Sequence, residues 1–270
     1  MKNASFIERT KKFFIGIGSF IAFLLIMSIA GYLFQELGYA LHITEPTATF
    51  SPPTPTAIPV TGNLIDFIDQ GVIEVRTDGA GIDDLNLGIR RLTDEFIEVE
   101  IQVGTYFLSH NEYVQNMVVV SKKTVQIDHD QWEEIVLQVA CANKEKSIPE
   151  TGDRFDILRQ PENQELQMLM KEFETIYERS WEYFLFPVQQ AAIWIVTNDS
   201  SYSGLGTLVT PGDFGFNIRV IDEDDAVRAM QLVDEAGIDI TAKAIWADRT
   251  QLSTDLEDPQ LQEWLRERAQ

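Results

Sequence analysis

The stretch "EIVLQVAC", residues 134–141, has the pattern of a half-buried β-strand. Successive side chains of a strand point to opposite faces, so Ile135, Leu137, Val139 and Cys141 lie together on one face. An apolar face of this kind has to be covered by a second layer of structure. The single cysteine of the chain is therefore expected at an inward-facing position.

The same period of two recurs through the first half of the folded part. The stretches "LNLGIRRL", residues 85–92, and "FIEVEIQV", residues 96–103, each alternate apolar and polar side chains. Turn sequences such as Asp78-Gly79 separate such stretches. Strands with one buried face, joined by turns, are typical of antiparallel sheets. We predict an antiparallel β-sandwich over residues 63–145.

From residue 146 onward the apolar residues follow the period of helices. Pro187 suits the first turn of a helix that continues through "VQQAAIWIVT", residues 188–197. A second stripe with three-and-four spacing consists of Leu166, Leu169, Met170, Phe173, Ile176 and Tyr177. We predict an α-helical subdomain over residues 146–270, which gives the chain an α+β fold class.

The amino-terminal segment combines a basic tail with a long uncharged run. Residues 1–12 contain four Lys or Arg and one Glu, and the 22 residues of the range 13–34 carry no charge. As a helix, that run is about 33 Å long, enough to cross the hydrocarbon layer. Flanking cations stay on the cytoplasmic side. We predict a cytoplasmic tail at 1–12 and a single transmembrane helix at 13–34 in the cytoplasmic membrane, with the amino terminus inside.

Two alternatives stay open for the uncharged run. Ser28-Ile29-Ala30 suits the cleavage site of a signal peptide, and a buried core helix is the other alternative. The run continues through Phe34, which is long for a signal, and core helices are rarely apolar on every face. We therefore favour the anchor. Both the anchor and the cleaved signal export the remainder of the chain.

The segment 35–62 has the composition of a spacer. Residues 44–61 contain five prolines and six threonines. Proline at this density favours the extended polyproline conformation, which reaches roughly 3.1 Å per residue. We predict a Thr/Pro-rich stalk that holds the folded part clear of the membrane.

The charge of the chain limits its partners. The formal net charge is -22, and residues 1–34 contribute +3 of it, so the remainder carries -25. A surface this acidic repels phosphate backbones, so we predict no nucleic-acid partner. The expected partners are the membrane, through residues 13–34, and a protein or cell-surface ligand.

The inventory of reactive residues predicts no metal site, no cofactor and no enzymatic activity. The histidines are His42, His110 and His129, and no two of them have ligand spacing. The carboxylates are abundant without forming a recognisable pair, and no nucleophile–base pattern or glycine-rich nucleotide loop occurs. We therefore name no catalytic residue.

One motif carries a resemblance to a known family. The sequence "QAAIW", Gln190 to Trp194, together with the lone upstream Cys141, resembles the thioester domains of bacterial surface adhesins. That resemblance implies that Gln190 supplies an acyl group and Cys141 the sulfur of an internal thioester. It also implies that Trp194 shields the bond from water and that the thioester captures an amine on a partner surface.

Each of these residues has a simpler interpretation. A cysteine on an inward face is usually a small core residue, and a tryptophan in a buried helix is usually core. Gln190 at the start of a buried helix suits a side chain that caps neighbouring backbone groups. The sequence thus predicts a membrane-anchored extracytoplasmic binding module at the cell surface, with a covalent, adhesin-like thioester domain as the alternative.

Overall fold

The strands and helices were obtained from a computed structural model that describes residues 59–176, 181–211 and 217–269. In chain order they are β1 (Val60–Asn63), α1 (Leu64–Asp69), β2 (Ile73–Gly79), β3 (Asp84–Arg91), β4 (Ile97–Ile101), β5 (Tyr106–Ser109), β6 (Met117–Val119), β7 (Lys123–Ile127), β8 (Glu133–Cys141), β9 (Phe155–Leu158), α2 (Gln164–Thr175), α3 (Phe186–Asn198), α4 (Tyr202–Leu205), β10 (Val209–Pro211), β11 (Asn217–Arg219), α5 (Glu223–Glu235), α6 (Arg249–Asp255) and α7 (Pro259–Arg268). Short 3-10 helices cover Trp181–Phe184, Ile240–Ala242 and Ala244–Asp248. The α+β class predicted from the sequence is confirmed.

The predicted amino-terminal segments fall outside this description. The cytoplasmic tail at 1–12, the transmembrane helix at 13–34 and the stalk up to residue 58 lie outside the described residues. Among the helices that are described, none combines the length and the apolar character that a membrane crossing requires. The range 57–270 forms one compact unit.

Strand β8 is one of the two central strands of a six-stranded sheet with the order β2-β3-β8-β6-β5-β9. All of its strand pairs are antiparallel. Leu137 lies opposite Leu85 on β3, and Val139 lies opposite Val119 on β6. These side chains are buried, whereas Val136 on the other face is half exposed. The inward face predicted from "EIVLQVAC" is thus confirmed.

A three-stranded sheet with the order β1-β4-β7 carries a second apolar face. Ile97, Val99 and Ile101 on β4 are fully buried, as the alternating sequence predicts. Strand β7 pairs with β4 in the antiparallel direction. Strand β1 pairs with β4 in parallel, with Val60 opposite Ile97. The antiparallel arrangement predicted for residues 63–145 therefore does not extend to β1, because the chain passes through β2 and β3 of the other sheet before it returns as β4. Strand β1 also begins at Val60, inside the range predicted as stalk.

Helices α2 and α3 differ in how much of their surface is covered. Helix α2 buries four residues of the predicted stripe, Leu166, Leu169, Met170 and Phe173. Ile176 of that stripe is buried directly after the helix, and Tyr177 lies outside the described residues. Helix α3 begins with Pro187 in its first turn, as predicted, and every residue from Val188 to Val196 is buried. It is enclosed because it contacts α2 and α5 as well as β8.

The part of the chain predicted as helical also contributes strands. Strand β9 pairs with β5, so it extends the six-stranded sheet beyond residue 146. Strands β10 and β11 form a separate antiparallel pair. The helical and the β regions therefore share one sheet.

Helix α5 begins with a reciprocal cap built from two aspartates. The backbone N–H of Asp225 donates to Oδ1 of Asp222 at 2.8 Å, and that of Asp222 donates to Oδ2 of Asp225 at 3.5 Å. Asp225 is 8% exposed, so its carboxylate is poorly hydrated. Burial, reinforced by the negative charge of Asp222, raises the pKa of Asp225 to about 6.

Replacing Asp225 with Asn should stabilise the protein above this pKa. Because the pKa of the folded state is raised, the contribution of Asp225 to stability is complete at low pH and is lost as the pH rises through about 6. Asn stays neutral and keeps an acceptor for the N–H of Asp222. We expect Asp225→Asn to raise Tm by a few degrees at about pH 7.5 and to lose this advantage as the pH falls from about 6 to about 4. The exposed carboxylate variant Asp255→Asn is the control, and an equal gain at both pH values would contradict the assignment.

Candidate functional site at the end of strand β8

Strand β8 extends past the end of its neighbour β3. The last backbone bond between them joins the N–H of Val139 to the carbonyl of Asp83 at 2.9 Å. The next backbone N–H and C=O of β8 on the side of β3 belong to Cys141, and no residue of β3 lies opposite them. On the opposite edge the ladder continues, because the N–H of Ala142 donates to the carbonyl of Asn116 at 2.8 Å. One edge of a buried strand end thus needs another partner.

The side chain of Gln190 on α3 supplies that partner. The N–H of Cys141 donates to Oε1 of Gln190 at 2.9 Å, and Nε2 of Gln190 donates to the carbonyl of Cys141 at 2.8 Å. A carboxamide offers the same acceptor and donor as a peptide group, so it reproduces the paired bonds of an antiparallel strand. Gln190 is fully buried. The interpretation of Gln190 as a cap for neighbouring backbone groups is confirmed.

The sulfur of Cys141 lies among core atoms. Its Sγ is 3.6 Å from the carbonyl oxygen of Ile82 and 3.5 Å from Sδ of Met117. Cys141 is fully buried. Burial, with a smaller contribution from the charge of Asp83, raises the pKa of the thiol far above neutrality. The thiol is therefore protonated and packs as a small core side chain, as the simpler interpretation predicts.

Trp194 follows Gln190 by one helical turn of α3 and is 2% exposed. Within the described part of the chain, its indole N–H has no hydrogen-bond partner. Packing alone therefore holds the ring, which agrees with a core role. Its predicted role as a shield for a thioester stays a prediction.

The neighbouring glutamine borders a small cavity. Gln189, 5% exposed, lines a space of about 130 Å³ together with Asp83 and Asp84. Burial and the charge of Asp83 raise the pKa of Asp84. The two glutamines of α3 thus face different surroundings, and only Gln190 reaches the strand end.

A larger cavity of about 510 Å³ lies beside the same strand end. Its walls come from β5, β9, the loop after β8, the start of α2 and the end of α3. They comprise Tyr106, Leu108, Asn116, Ala142, Asn143, Leu158, Pro161, Glu162, Asn163, Leu166 and Thr197. Three of these residues, Tyr106, Leu108 and Asn116, fall in the stretches 104–109 and 115–117, where polar and turn-forming residues interrupt the apolar strands. Residues of α2 and α3 complete the cavity, and no local pattern links these distant positions to the two stretches.

A buried asparagine and a half-buried tyrosine form a polar pair in the wall of this cavity. Nδ2 of Asn116 donates to the hydroxyl of Tyr106 at 3.0 Å, and Oδ1 of Asn116 accepts from the N–H of Ser109 at 3.0 Å. Asn116 is 8% exposed, so its orientation is fixed by these bonds. Burial raises the pKa of Tyr106, and the hydroxyl therefore keeps its proton at neutral pH.

The comparisons with known proteins add no relative. No family model matches the chain, and neither a curated protein nor a solved structure matches it. In the described ranges, no group of three or more His, Cys, Asp or Glu side chains is arranged to hold a metal ion. The basis for inferring a function is therefore the geometry of the candidate sites themselves.

Substitutions at Gln190 should test the cap on strand β8. Gln190→Met removes both hydrogen bonds and leaves two buried backbone groups unpaired, which costs about 2–5 kcal/mol of unfolding free energy. Gln190→Glu keeps the shape but needs a proton to donate to the carbonyl of Cys141. Burial raises the pKa of such a carboxyl, so its stabilising contribution is present at low pH and lost as the pH rises.

We expect urea unfolding to show a loss for Gln190→Met that does not change with pH. The loss for Gln190→Glu should instead be small at about pH 5 and large at about pH 8. Equal behaviour of the two variants across this range would contradict a hydrogen-bonded cap.

Proposed function

We propose that this protein is a membrane-anchored module that presents a folded binding domain outside the cytoplasm. The observation that carries the proposal is the order of segments along the chain. A basic tail and a 22-residue uncharged run precede a Pro/Thr-rich stretch, and the first strand of the folded unit begins at Val60, at the end of this stretch. A spacer between an anchor and a domain is useful when the domain must reach a partner at a distance from the lipid.

The distribution of charge supports the same orientation. Residues 1–34 carry +3, whereas the rest of the chain carries -25. No Lys or Arg occurs between the uncharged run and Arg76, so the cations lie on one side of it only. Cations beside a membrane helix favour the cytoplasmic side, which leaves the acidic domain outside.

For the domain itself, we propose a β-sandwich with the helices packed as one unit with it. Support comes from the two apolar faces, Leu85, Leu87 and Ile89 on the six-stranded sheet and Ile97 and Val99 on the three-stranded sheet, all of them fully buried. Both faces belong to one continuous hydrophobic core. Sheets that bury one face each reach such a core most simply by facing each other.

Protease treatment of intact cells should test the orientation. The full chain with a carboxyl-terminal tag should be found in the membrane fraction, and the tag should be removed by protease added outside the cytoplasmic membrane. Leu24→Lys combined with Leu25→Lys adds about 5–7 kcal/mol to the insertion of the run and should release the anchor. The matched control, Leu24→Ile with Leu25→Ile, should behave as the parent chain. A tag protected in intact cells would overturn the proposal.

The second candidate function is covalent adhesion through a Cys141–Gln190 thioester. One observation favours it: the carboxamide of Gln190 lies against the main chain of Cys141, with bonds of 2.9 and 2.8 Å. In such a reaction, the sulfur bonds to the carboxamide carbon and the amide nitrogen takes up the thiol proton and leaves as ammonia. The product is a stored electrophile, which a partner's amine can open.

The mass of the intact, purified chain separates the covalent from the non-covalent arrangement. A thioester lowers the mass by ~17 Da, and methylamine then raises the mass of this species by about 31 Da. The Cys141→Ala variant, which keeps the backbone bonds to Gln190, should have its calculated mass in both conditions. A parent chain at its calculated mass, unchanged by methylamine, would remove the thioester and leave Gln190 as a structural cap.

A further inference from the structure

We propose that the cavity of about 510 Å³ between β5, β9, α2 and α3 binds a single neutral saccharide unit. The inference deepens the proposed function, on which it rests, by naming the class of ligand that the exported domain takes. The size of the cavity, its polar groups and the charge around it all suit such a ligand.

The size and the walls of the cavity suit a small ring. Cavities that hold small molecules usually measure about 300–1,000 Å³. The apolar surface comes from Ala142, Leu158, Pro161 and Leu166, and Tyr106 adds an aromatic side chain. Ala142, Pro161 and Leu166 are buried, whereas Glu162 and Asn163 are exposed. The cavity thus has an apolar floor and a polar rim, which matches a sugar ring with its C–H face inward.

The polar groups offer both donors and acceptors. The hydroxyl of Tyr106 accepts from Asn116 at 3.0 Å and keeps its own proton to donate. Oδ1 of Asn143 accepts from the N–H of Asn116 at 2.6 Å, and Oδ1 of Asn163 accepts from the N–H of Leu166 at 3.0 Å. Inside the described ranges, the amide nitrogens of Asn143 and Asn163 have no further partner, so each is free to donate. These groups are held in place before a ligand arrives.

Glu162 provides a hydrogen-bond acceptor and a negative charge at the rim of the cavity. The carboxylate of Glu162 can accept hydrogen bonds from hydroxyl groups, and the amide nitrogens of Asn143 and Asn163 can donate to hydroxyl oxygens. Together these groups fit neighbouring hydroxyls of a sugar. The carboxylate at the rim and the net charge of -22 repel anionic ligands. The site therefore favours a neutral sugar over an acidic or phosphorylated one.

A second cavity is less suited to a ligand, because its charged groups are already paired. This second cavity, of about 410 Å³, lies over the exposed face of β2, β3 and β8. There Arg76 pairs with Glu134, and Arg154 pairs with Asp78 at 3.0 Å. Its charged groups already pair with each other, whereas Glu162, which supplies the charge at the larger cavity, forms no ion pair within the described residues.

Saturation-transfer NMR on the full chain, kept in a detergent without a sugar headgroup, tests the proposal. The probes are glucose, galactose, mannose and N-acetylglucosamine, with glucuronic acid and glucose 6-phosphate as the charged comparison. We expect at least one neutral sugar to bind with a Kd in the millimolar range, and the charged sugars to bind at least about tenfold more weakly.

Two variants test whether the sugar binds in the cavity. Tyr106→Phe removes the donor hydroxyl, and Glu162→Gln changes an exposed carboxylate at the rim. Each should weaken binding of the neutral sugar about 5–10-fold. The exposed Glu112→Gln, which lies outside the cavity lining, should leave it unchanged.

Three results would overturn the proposal: no neutral sugar bound at about 50 mM, equal binding of charged sugars, or binding that neither variant weakens. None of these results changes the outcome of the protease experiment. Failure of the saccharide site is therefore distinguishable from failure of the membrane-anchored orientation.

Discussion

The two hydrogen bonds between Gln190 and the main chain of Cys141 resolve a constraint on which the surrounding structure depends. Strand β8 runs beyond β3 inside the core, and a buried N–H and C=O without partners are strongly unfavourable there. Neither backbone group is within reach of solvent, because Cys141 and Gln190 are both fully buried. The side chain of Gln190, on a mostly apolar helix, satisfies both groups at once. This explains why glutamine interrupts a helix that is buried on every side.

The same junction determines the position of the segments around the larger cavity. Asn143 lies two residues after Cys141, and Thr197 lies in the last turn of the helix that carries Gln190. A second bond ties these segments together, because the N–H of Lys144 donates to Oδ1 of Asn198 at 3.1 Å. A shift of α3 along β8 would break these bonds and change the shape of the cavity. The geometry of the cavity is therefore coupled to the core through α3.

The sequence predicted what depends on neighbouring residues and missed what depends on distant ones. The inward face of β8 and the first turn of α3 at Pro187 were predicted, because hydrophobic period and the preference of proline for a first helical turn are local properties. The parallel pairing of β1 with β4 and the position of β9 in the sheet were not, since strand partners far apart in sequence leave no local pattern. Gln190 was recognised as a cap or an acyl donor, but its hydrogen-bond partner required the fold. The cavity was missed because five separate segments build it.

The two roles of Gln190 exclude each other because they use the same atoms. A thioester releases the amide nitrogen, so the donor to the carbonyl of Cys141 disappears. The remaining acyl carbon would have to reach Sγ, which lies out of the plane of the sheet next to Met117, while the cap acts within that plane. Bond formation would thus leave a buried carbonyl unpaired unless the strand end moved or water entered. The hydrogen-bonded form needs no such rearrangement, and any reactive form of this junction must include a new partner for the end of β8.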